Sequence, residues 1–264
     1  MKKIAVAIIA SLFIIGMLAG CGAGAADRLD TVQQNKRIVL GTSADYPPYE
    51  FHKTIDGKDQ IVGFDIEIAK AIADDLGVEL VVEDMNFDSL LIALNTGKVD
   101  MVISGMNPTE KRKKNVDFSN IYYTSEQAVL VRSEDRDRYQ TMDDLAGAKI
   151  GAQKTTIYED IARSVPDAKV EALSKVSDLV LSLEAKRIDA IVLEMPVAAA
   201  YSKSRSNLAV AGAEPDSGDE GFAIAVKKGS AKLAEQINQT LDRLTKEQRI
   251  EQFVTEATKL AETD

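Results

Sequence analysis

The chain contains no tryptophan, one cysteine and one histidine in 264 residues. A lone cysteine, Cys21, closes no disulfide within the chain and builds no Cys-based metal site. His52 stands in a polar loop without a nucleophile motif beside it, whereas metal centres and Ser–His catalysis need several such groups. No cofactor is called for. Long apolar runs are also scarce: beyond Cys21 nothing approaches the roughly 20 apolar residues that cross a bilayer. Positive charge is in the minority, with 32 Lys and Arg against 42 Asp and Glu, for a formal charge of −10. An acidic surface argues against nucleic acid and anionic lipid as partners.

The one apolar run that exists lies at the start, from Ile4 to Leu18, after Lys2 and Lys3. Its length suits the core of a signal peptide. Leu18-Ala19-Gly20-Cys21 resembles a bacterial lipobox, in which the cysteine takes a diacylglycerol and becomes the first residue after cleavage. Residues 1–20 are expected to be a lipoprotein signal peptide, and residues 21–35, small and polar, a tether. Two or more acyl chains hold a protein stably, each buried methylene adding about 0.8 kcal/mol. The expected location is the extracytoplasmic face of the cell membrane. Loss of Lys2 and Lys3 takes the formal charge from −10 to −12.

The rest alternates short β-rich runs with helical stretches. Ile38-Val39-Leu40 predicts a strand, and Phe64, Ile68, Ile72 and Leu76 mark one face of a helix that stops at Gly77. Val78–Val82 predicts a strand, Asp88–Asn95 a helix and Val99–Ser104 another strand. Such alternation implies an α/β fold with mostly parallel sheets flanked by helices. An internal repeat at an offset of 89 residues lays Phe87–Leu94 over Val176–Leu183 and Lys98–Ile103 over Arg187–Val192 without a gap. The period is far too long for a solenoid unit. Two copies predict two similar lobes, although helix–turn–strand units are common enough to match by chance. Ligands of open α/β sheets bind beyond the carboxyl ends of the strands. Those ends are Ser104-Gly105-Met106-Asn107 and Leu193-Glu194, and facing each other they would make a cleft. The β-rich runs Tyr122–Arg132 and Gly221–Lys227 lie where the chain would cross between lobes, as two hinge strands. Residues 36–128 and 224–264 then form lobe 1, and 129–223 lobe 2.

Seven segments carry a resemblance: Gly41–Glu50, Gly63-Phe64-Asp65, Phe87-Asp88-Ser89-Leu90, Thr109–Arg112, Val116–Ser119, Gly151-Ala152-Gln153 and Glu194–Ala198. In this order and spacing, from about Ile38 to the C-terminus, they resemble the family 3 solute-binding proteins, the polar amino-acid group of ABC importers. The resemblance implies a two-lobed periplasmic-binding-protein-like fold. It also implies that Arg112 holds the ligand α-carboxylate, whose two oxygens match the rigid guanidinium fork. Read by itself, Arg112 among Lys111, Lys113 and Lys114 is equally a solvated basic helix face. Thr109 caps that helix. Gly105 and Asn107 stand where the family offers a backbone carbonyl and a hydroxyl, Asn107 departing from the usual Ser or Thr. Thr155 and Thr156 join the site at a helix start, where the Thr156 N–H would meet the carboxylate at the favourable end of the dipole.

Glu194 stands where relatives carry an acid, often Asp, for the ligand ammonium, because a buried ammonium is costly unless paired. Tyr46 and Phe87 match the aromatics that flank the ligand side chain, a grip worth about 1–2 kcal/mol when desolvated. Phe87 also fits plain core. Ser43 and Asp45 complete the set, and Asp45 and Glu50 are offered to a distal cation. Relatives with basic ligands often have an acid at the place of Ser43. The expected function is the substrate-binding component of an ABC amino-acid importer. It would close by a hinge on a polar or basic L-amino acid, arginine or lysine first and glutamine next. Permease and ATPase subunits are its expected partners, and the chain itself a monomer and not an enzyme. A cyclohexadienyl-dehydratase-like enzyme and an amino-acid sensor or adhesin lipoprotein are the alternatives.

Overall fold

The computed structural model describes residues 27–216, 218 and 221–262. The expected signal peptide and Cys21 therefore lie outside the described residues. The tether expected over 21–35 gives way at Arg28: Arg28–Asn35 is helix α1, capped by the Asp27 side chain, which accepts the Leu29 N–H. Val32 is buried, and Arg28 pairs with Asp100 and donates to the Gly97 carbonyl at 3.0 Å. The polar composition conceals this helix because its partners lie some 70 residues further along.

Next come β1 (Arg37–Thr42), a hairpin sheet of β2 (Asp45–Tyr46), β3 (Glu50–Ile55) and β4 (Lys58–Val62), then α2 (Phe64–Leu76) and β5 (Glu79–Asp84). They are followed by α3 (Phe87–Thr96), β6 (Met101–Val102), α4 (Glu110–Lys113) and β7 (Val116–Tyr123). The chain crosses through 124–126 into β8 (Gln127–Arg132), and two 3-10 turns lead to β9 (Lys149–Gln153) and α5 (Ile157–Ser164). After β10 (Lys169–Leu173), α6 (Val176–Glu184), β11 (Ala190–Glu194), α7 (Met195–Ser204) and β12 (Leu208–Val210), it returns into β13 (Phe222–Lys227). Helices α8 (Ala231–Lys246) and α9 (Arg249–Glu262) close the fold.

The strands form two five-stranded sheets of the same pattern, β5-β1-β6-β13-β7 and β10-β9-β11-β8-β12. Each has three adjacent parallel strands and one reversed strand, β13 or β8, taken from just beyond a crossing. The result is a two-lobed α/β fold. The first hinge run is not one strand, since Thr124-Ser125-Glu126 separate β7 from β8. β6 is also shorter than the predicted Val99–Ser104. Asp100 leaves the ladder because its carboxylate accepts the Val39 N–H at 2.7 Å while its own N–H donates to the Val39 carbonyl.

The repeat holds at the level of contacts. Asp189, 89 residues after Asp100, accepts the Lys149 N–H at 2.9 Å and donates its own N–H to the Lys149 carbonyl. The middle strand of each parallel trio, β1 or β9, also carries a glycine under the repeat helix. A Cβ on Gly41 would lie 3.2–3.3 Å from Val99 and Leu90, and one on Gly151 2.6 and 2.9 Å from Ile188 and Leu179. Leu179 and Ile188 are Leu90 and Val99 displaced by 89. Two generic units would not share a clamp and a close approach at matched positions.

Helix α2 buries Phe64, Ile68 and Ile72, as the spacing predicts. Its N-cap, Gly63, sits at φ +132°, and a Cβ there would come 2.0 Å from the Tyr49 carbonyl oxygen. The Phe64 and Asp65 N–H groups donate to the carbonyls of Pro48 and Tyr49 at 3.1 and 3.0 Å. This stitches the loop after β2 to the helix and fixes the rim of the cleft on lobe 1.

Candidate functional site

The carboxyl ends of β1 and β6 carry the lobe 1 rim. Ser43 and Asn107 are buried, and Gly105 adopts φ +48° in the turn between them. The Gly105 N–H donates to Asp65 at 3.0 Å and the Ser43 N–H to Ser104 Oγ at 3.2 Å. Ser104 Oγ in turn donates to Glu50, and the Tyr122 hydroxyl donates to Asp65 at 2.9 Å. Glu50 and Asp65 thus form a fully buried acid pair beneath the rim. Burial first, then the negative charge of Asp65, pushes Glu50 well up, and burial pushes Asp65 up to about 6. Glu50 Oε2 and Asp65 Oδ1 have no hydrogen-bond partner among the described residues. Glu50 is fully buried on Ser104 and does not line the cavity beside Arg112.

Arg112 lies within the short helix α4, which Thr109 caps, and is 9% exposed. Its Nη1 donates to the Asn107 carbonyl at 2.8 Å, and its guanidinium lies 5.3 Å from the centre of the buried Phe87 ring. The basic-face alternative fails here, since Lys111 and Lys113 are exposed while Arg112 turns inward. From lobe 2, the Thr155 carbonyl accepts Arg112 Nη2 at 2.9 Å. Thr155 has φ +64° and donates its N–H to Glu159, while Thr156 caps α5 through its hydroxyl. An open cavity of about 480 Å³ is lined by Phe87, Met106, Arg112, Thr155, Thr156 and others between the lobes. A larger opening of about 720 Å³ beside the crossings holds none of the expected residues.

Glu194 ends β11 and is fully buried. One oxygen accepts from the Tyr158 hydroxyl and the other, Oε2, has no hydrogen-bond partner among the described residues. Burial raises its carboxyl well above the usual range. Burial pushes the Tyr158 phenol up as well, against the opposing charge of Arg112. A carboxylate with an open oxygen in such a place calls for a cation or a proton.

Asp45 serves differently from expectation. Its carboxylate accepts the Ser177 N–H at the start of α6 at 3.0 Å and the Ser43 hydroxyl at 3.3 Å, and its carbonyl accepts the Tyr201 hydroxyl at 2.9 Å. Burial raises its pKa, against the opposing pull of the Ser177 N–H and Lys175. Ser174 Oγ to Asp88 and Lys175 Nζ to Asp84, both 3.3 Å, extend this second contact between the lobes. Tyr46 is buried with its ring 5.5 Å from that of Tyr49, within the aromatic cluster of Phe64, Tyr123 and Phe222. His52 pairs with Asp59 at the surface. Among the described residues no group of three or more His, Cys, Asp or Glu side chains is placed to hold a metal ion.

Three residues of this interface escape a reading of the sequence: Tyr158, Ser177 and Tyr201. Ser177 carries a signal, since it is Asp88 displaced by 89 and both lie in the first turn of their repeat helix. Tyr158 follows the capping Thr156 by two residues, but nothing in the chain announces its pairing with Glu194.

The family model for bacterial extracellular solute-binding proteins, family 3, matches residues 38–257. The arginine-binding extracellular protein ArtP of Bacillus subtilis is 36% identical over 92% of this chain and 93% of its own length. The structure of AbpA, an amino acid ABC transporter substrate-binding protein of Streptococcus pneumoniae bound to L-arginine, superposes with a TM-score of 0.87 at 36% identity. It covers 89% of this chain and 100% of that one. An ancestral amino acid-binding protein described as a precursor of cyclohexadienyl dehydratase has a TM-score of 0.79 at 33% identity, covering 88% and 100%.

Proposed function

The chain belongs to the bacterial extracellular solute-binding proteins, family 3, and from that premise we propose that it captures L-arginine between its lobes for an ABC importer. The observation that carries the reading is a buried base and a buried acid on facing lobes. Arg112 belongs to lobe 1 and Glu194, with its open oxygen, to lobe 2. Arg112 takes the α-carboxylate, its fork giving up the Thr155 carbonyl or sharing it with the ligand. Glu194 takes a cationic end, and the Tyr158 hydroxyl fixes which oxygen faces it. Phe87, already under the guanidinium of Arg112, offers its outer face to the ligand side chain. The names of ArtP and AbpA favour arginine.

The family places the protein on the extracytoplasmic side. We further assign Cys21 as its lipid anchor, a permease with an ATPase as its partners, and the monomer as its working form. Titration calorimetry with the twenty amino acids tests the ligand: arginine should bind micromolar or tighter and leave unchanged by mass spectrometry. Tighter binding of glutamine than arginine would overturn the choice of ligand. A chemically altered product would favour the dehydratase-like enzyme.

A further inference from the structure

A carboxylate removed from water needs a base or several hydrogen-bond donors, and two carboxylates side by side need more. Glu50 on β3 and Asp65 in the first turn of α2 are both fully buried. The titratable groups that bear on them are acids and phenols. Asp65 and then Asp45 on β2 face Glu50, while Tyr122 on β7 and Tyr49 before β3 face Asp65. Lys175, on lobe 2, pairs with Asp84 at 3.3 Å and bears on Asp45.

Three donors reach the pair, unequally shared. The Gly105 N–H and the Tyr122 hydroxyl both donate to Asp65 Oδ2, at 3.0 and 2.9 Å, whereas Glu50 receives the Ser104 hydroxyl alone. Donors stabilise the ionised form. Asp65, with two, keeps the charge, and Glu50, with one, keeps the proton. Burial and then the charge of Asp65 push Glu50 well up, in the same direction.

Each donor belongs to the cleft. Ser104 Oγ also accepts the Ser43 N–H at 3.2 Å, so one hydroxyl ties Glu50 to the ends of β1 and β6. Glu50 lies opposite Tyr46 in the strand register, and Tyr122 stands two residues before the crossing at 124–126. We propose that Glu50, as a neutral acid beside ionised Asp65, is a positioning residue that fixes Ser43 and Gly105 for the ligand, and that the cleft loses affinity when Glu50 ionises. The ligand's place at Ser43 and Gly105 rests on the amino-acid reading above. An ionised Glu50 meets two like charges, Asp65 and Asp45, away from water. Hydrating it requires the Ser104–Gly105 turn to move.

The test starts with the purified parent without ligand. Its Glu50 carboxyl carbon, followed by NMR, should show the neutral acid at pH 7. As Glu50 ionises towards pH 10, the Ser43 and Gly105 amide signals should shift with the same midpoint. In Glu50→Gln, a neutral side chain of the same shape, both amides should hold still over that step. Between pH 6.5 and 9.5, arginine binding by calorimetry should weaken at least threefold more in the parent than in Glu50→Gln. Titration of arginine itself and of Glu194 is common to both proteins and cancels in that ratio. A merely structural Glu50 would instead lower the variant's affinity equally at both pH values, which overturns the proposal. So does an ionised Glu50 carboxyl at pH 7, or amides that move while affinity does not. Should Glu50→Gln fail to fold, amide midpoints in the parent that differ from that of the Glu50 carboxyl overturn it just as well. A parent that binds no arginine overturns the choice of ligand, and the amides, read without ligand, still decide what Glu50 does to the rim.

Discussion

At the scale of single residues, Arg112 and Glu194 are the two buried groups on which ligand binding turns. Arg112 is held by the Asn107 carbonyl, the Thr155 carbonyl and the Phe87 ring together. Arg112→Lys keeps the charge but loses the planar fork, so calorimetry should register at least a tenfold weaker affinity. Arg112→Ala leaves the ligand carboxylate buried and unpaired, and should cost about 2–5 kcal/mol of binding. An Arg112→Ala protein that binds like the parent would sink the site. The pH dependence follows from the acids. Glu194, Glu50 and Asp65 have folded pKa values raised by burial, Asp65 to about 6. A raised acid binds its proton more tightly folded than unfolded, so its contribution is full at low pH and is lost as pH climbs past the unfolded value. The ligand-free melting temperature should therefore decline as pH rises above about 4, the share of Asp65 being lost through about 6. Glu194→Gln, a neutral side chain of the same shape, should decline less steeply. An identical slope would mean that Glu194 stays ionised in the folded chain. Arg112 was legible only through the family resemblance, since Phe87 and Thr155, which hold it inward, are 25 and 43 residues away. The Glu194–Tyr158 pair was not, since 36 residues and a separate helix lie between them. Asp45 was legible as a rim residue, but its target on lobe 2 was not.

At the scale of elements, the glycines show which joints tolerate nothing larger. Gly63 combines φ +132° with a backbone oxygen 2.0 Å from any added Cβ, and no side chain can swing aside to make room. Gly63→Ala should lower stability by at least about 2–3 kcal/mol in a denaturant titration. It should weaken ligand binding as well, because the loop carrying Tyr46 and Tyr49 must move. Gly151→Ala meets only the ends of Leu179 and Ile188 and should cost about 1–3 kcal/mol with affinity preserved. Equal losses for the two variants would contradict the difference between a backbone and a side-chain obstacle. The repeat that links these positions was readable as a bare offset of 89, because helix, turn and strand follow one another without insertions. Helix α1, the break at Thr124–Glu126 and the shortness of β6 were not readable. Each is decided by a partner distant in sequence: Asp100 for α1, Met195 for the break, whose N–H takes the Glu126 carbonyl, and Val39 for β6.

At the scale of the molecule, the two lobes meet along two lines with different dependence on ligand. Asp45, Tyr201 and Ser177 join them through groups that are already satisfied, and Lys175–Asp84 adds a partly exposed pair worth little by itself. Arg112 and Glu194 lie on the other line, where the open oxygen of Glu194 remains to be paired. Closure without ligand is therefore supported by the first line and, on the second, by the single Arg112–Thr155 hydrogen bond. A ligand that bridges Arg112 and Glu194 adds contacts to the second line and shifts the population toward the closed form. Its binding free energy appears as stability: a hundredfold excess over Kd contributes about 2.7 kcal/mol, which in a chain of this size raises Tm by about 5–10 °C. Small-angle scattering should show the radius of gyration fall on adding arginine. Asp45→Ala removes an acceptor at the α6 N-terminus and should leave the ligand-free protein more open, with a larger radius, while arginine still closes it at a higher concentration. Arg112→Ala should leave the ligand-free radius near that of the parent and abolish the response to arginine. If both variants lost the response alike, the two lines of contact would not be separable, and closure would have to be a single cooperative event that the ligand merely joins.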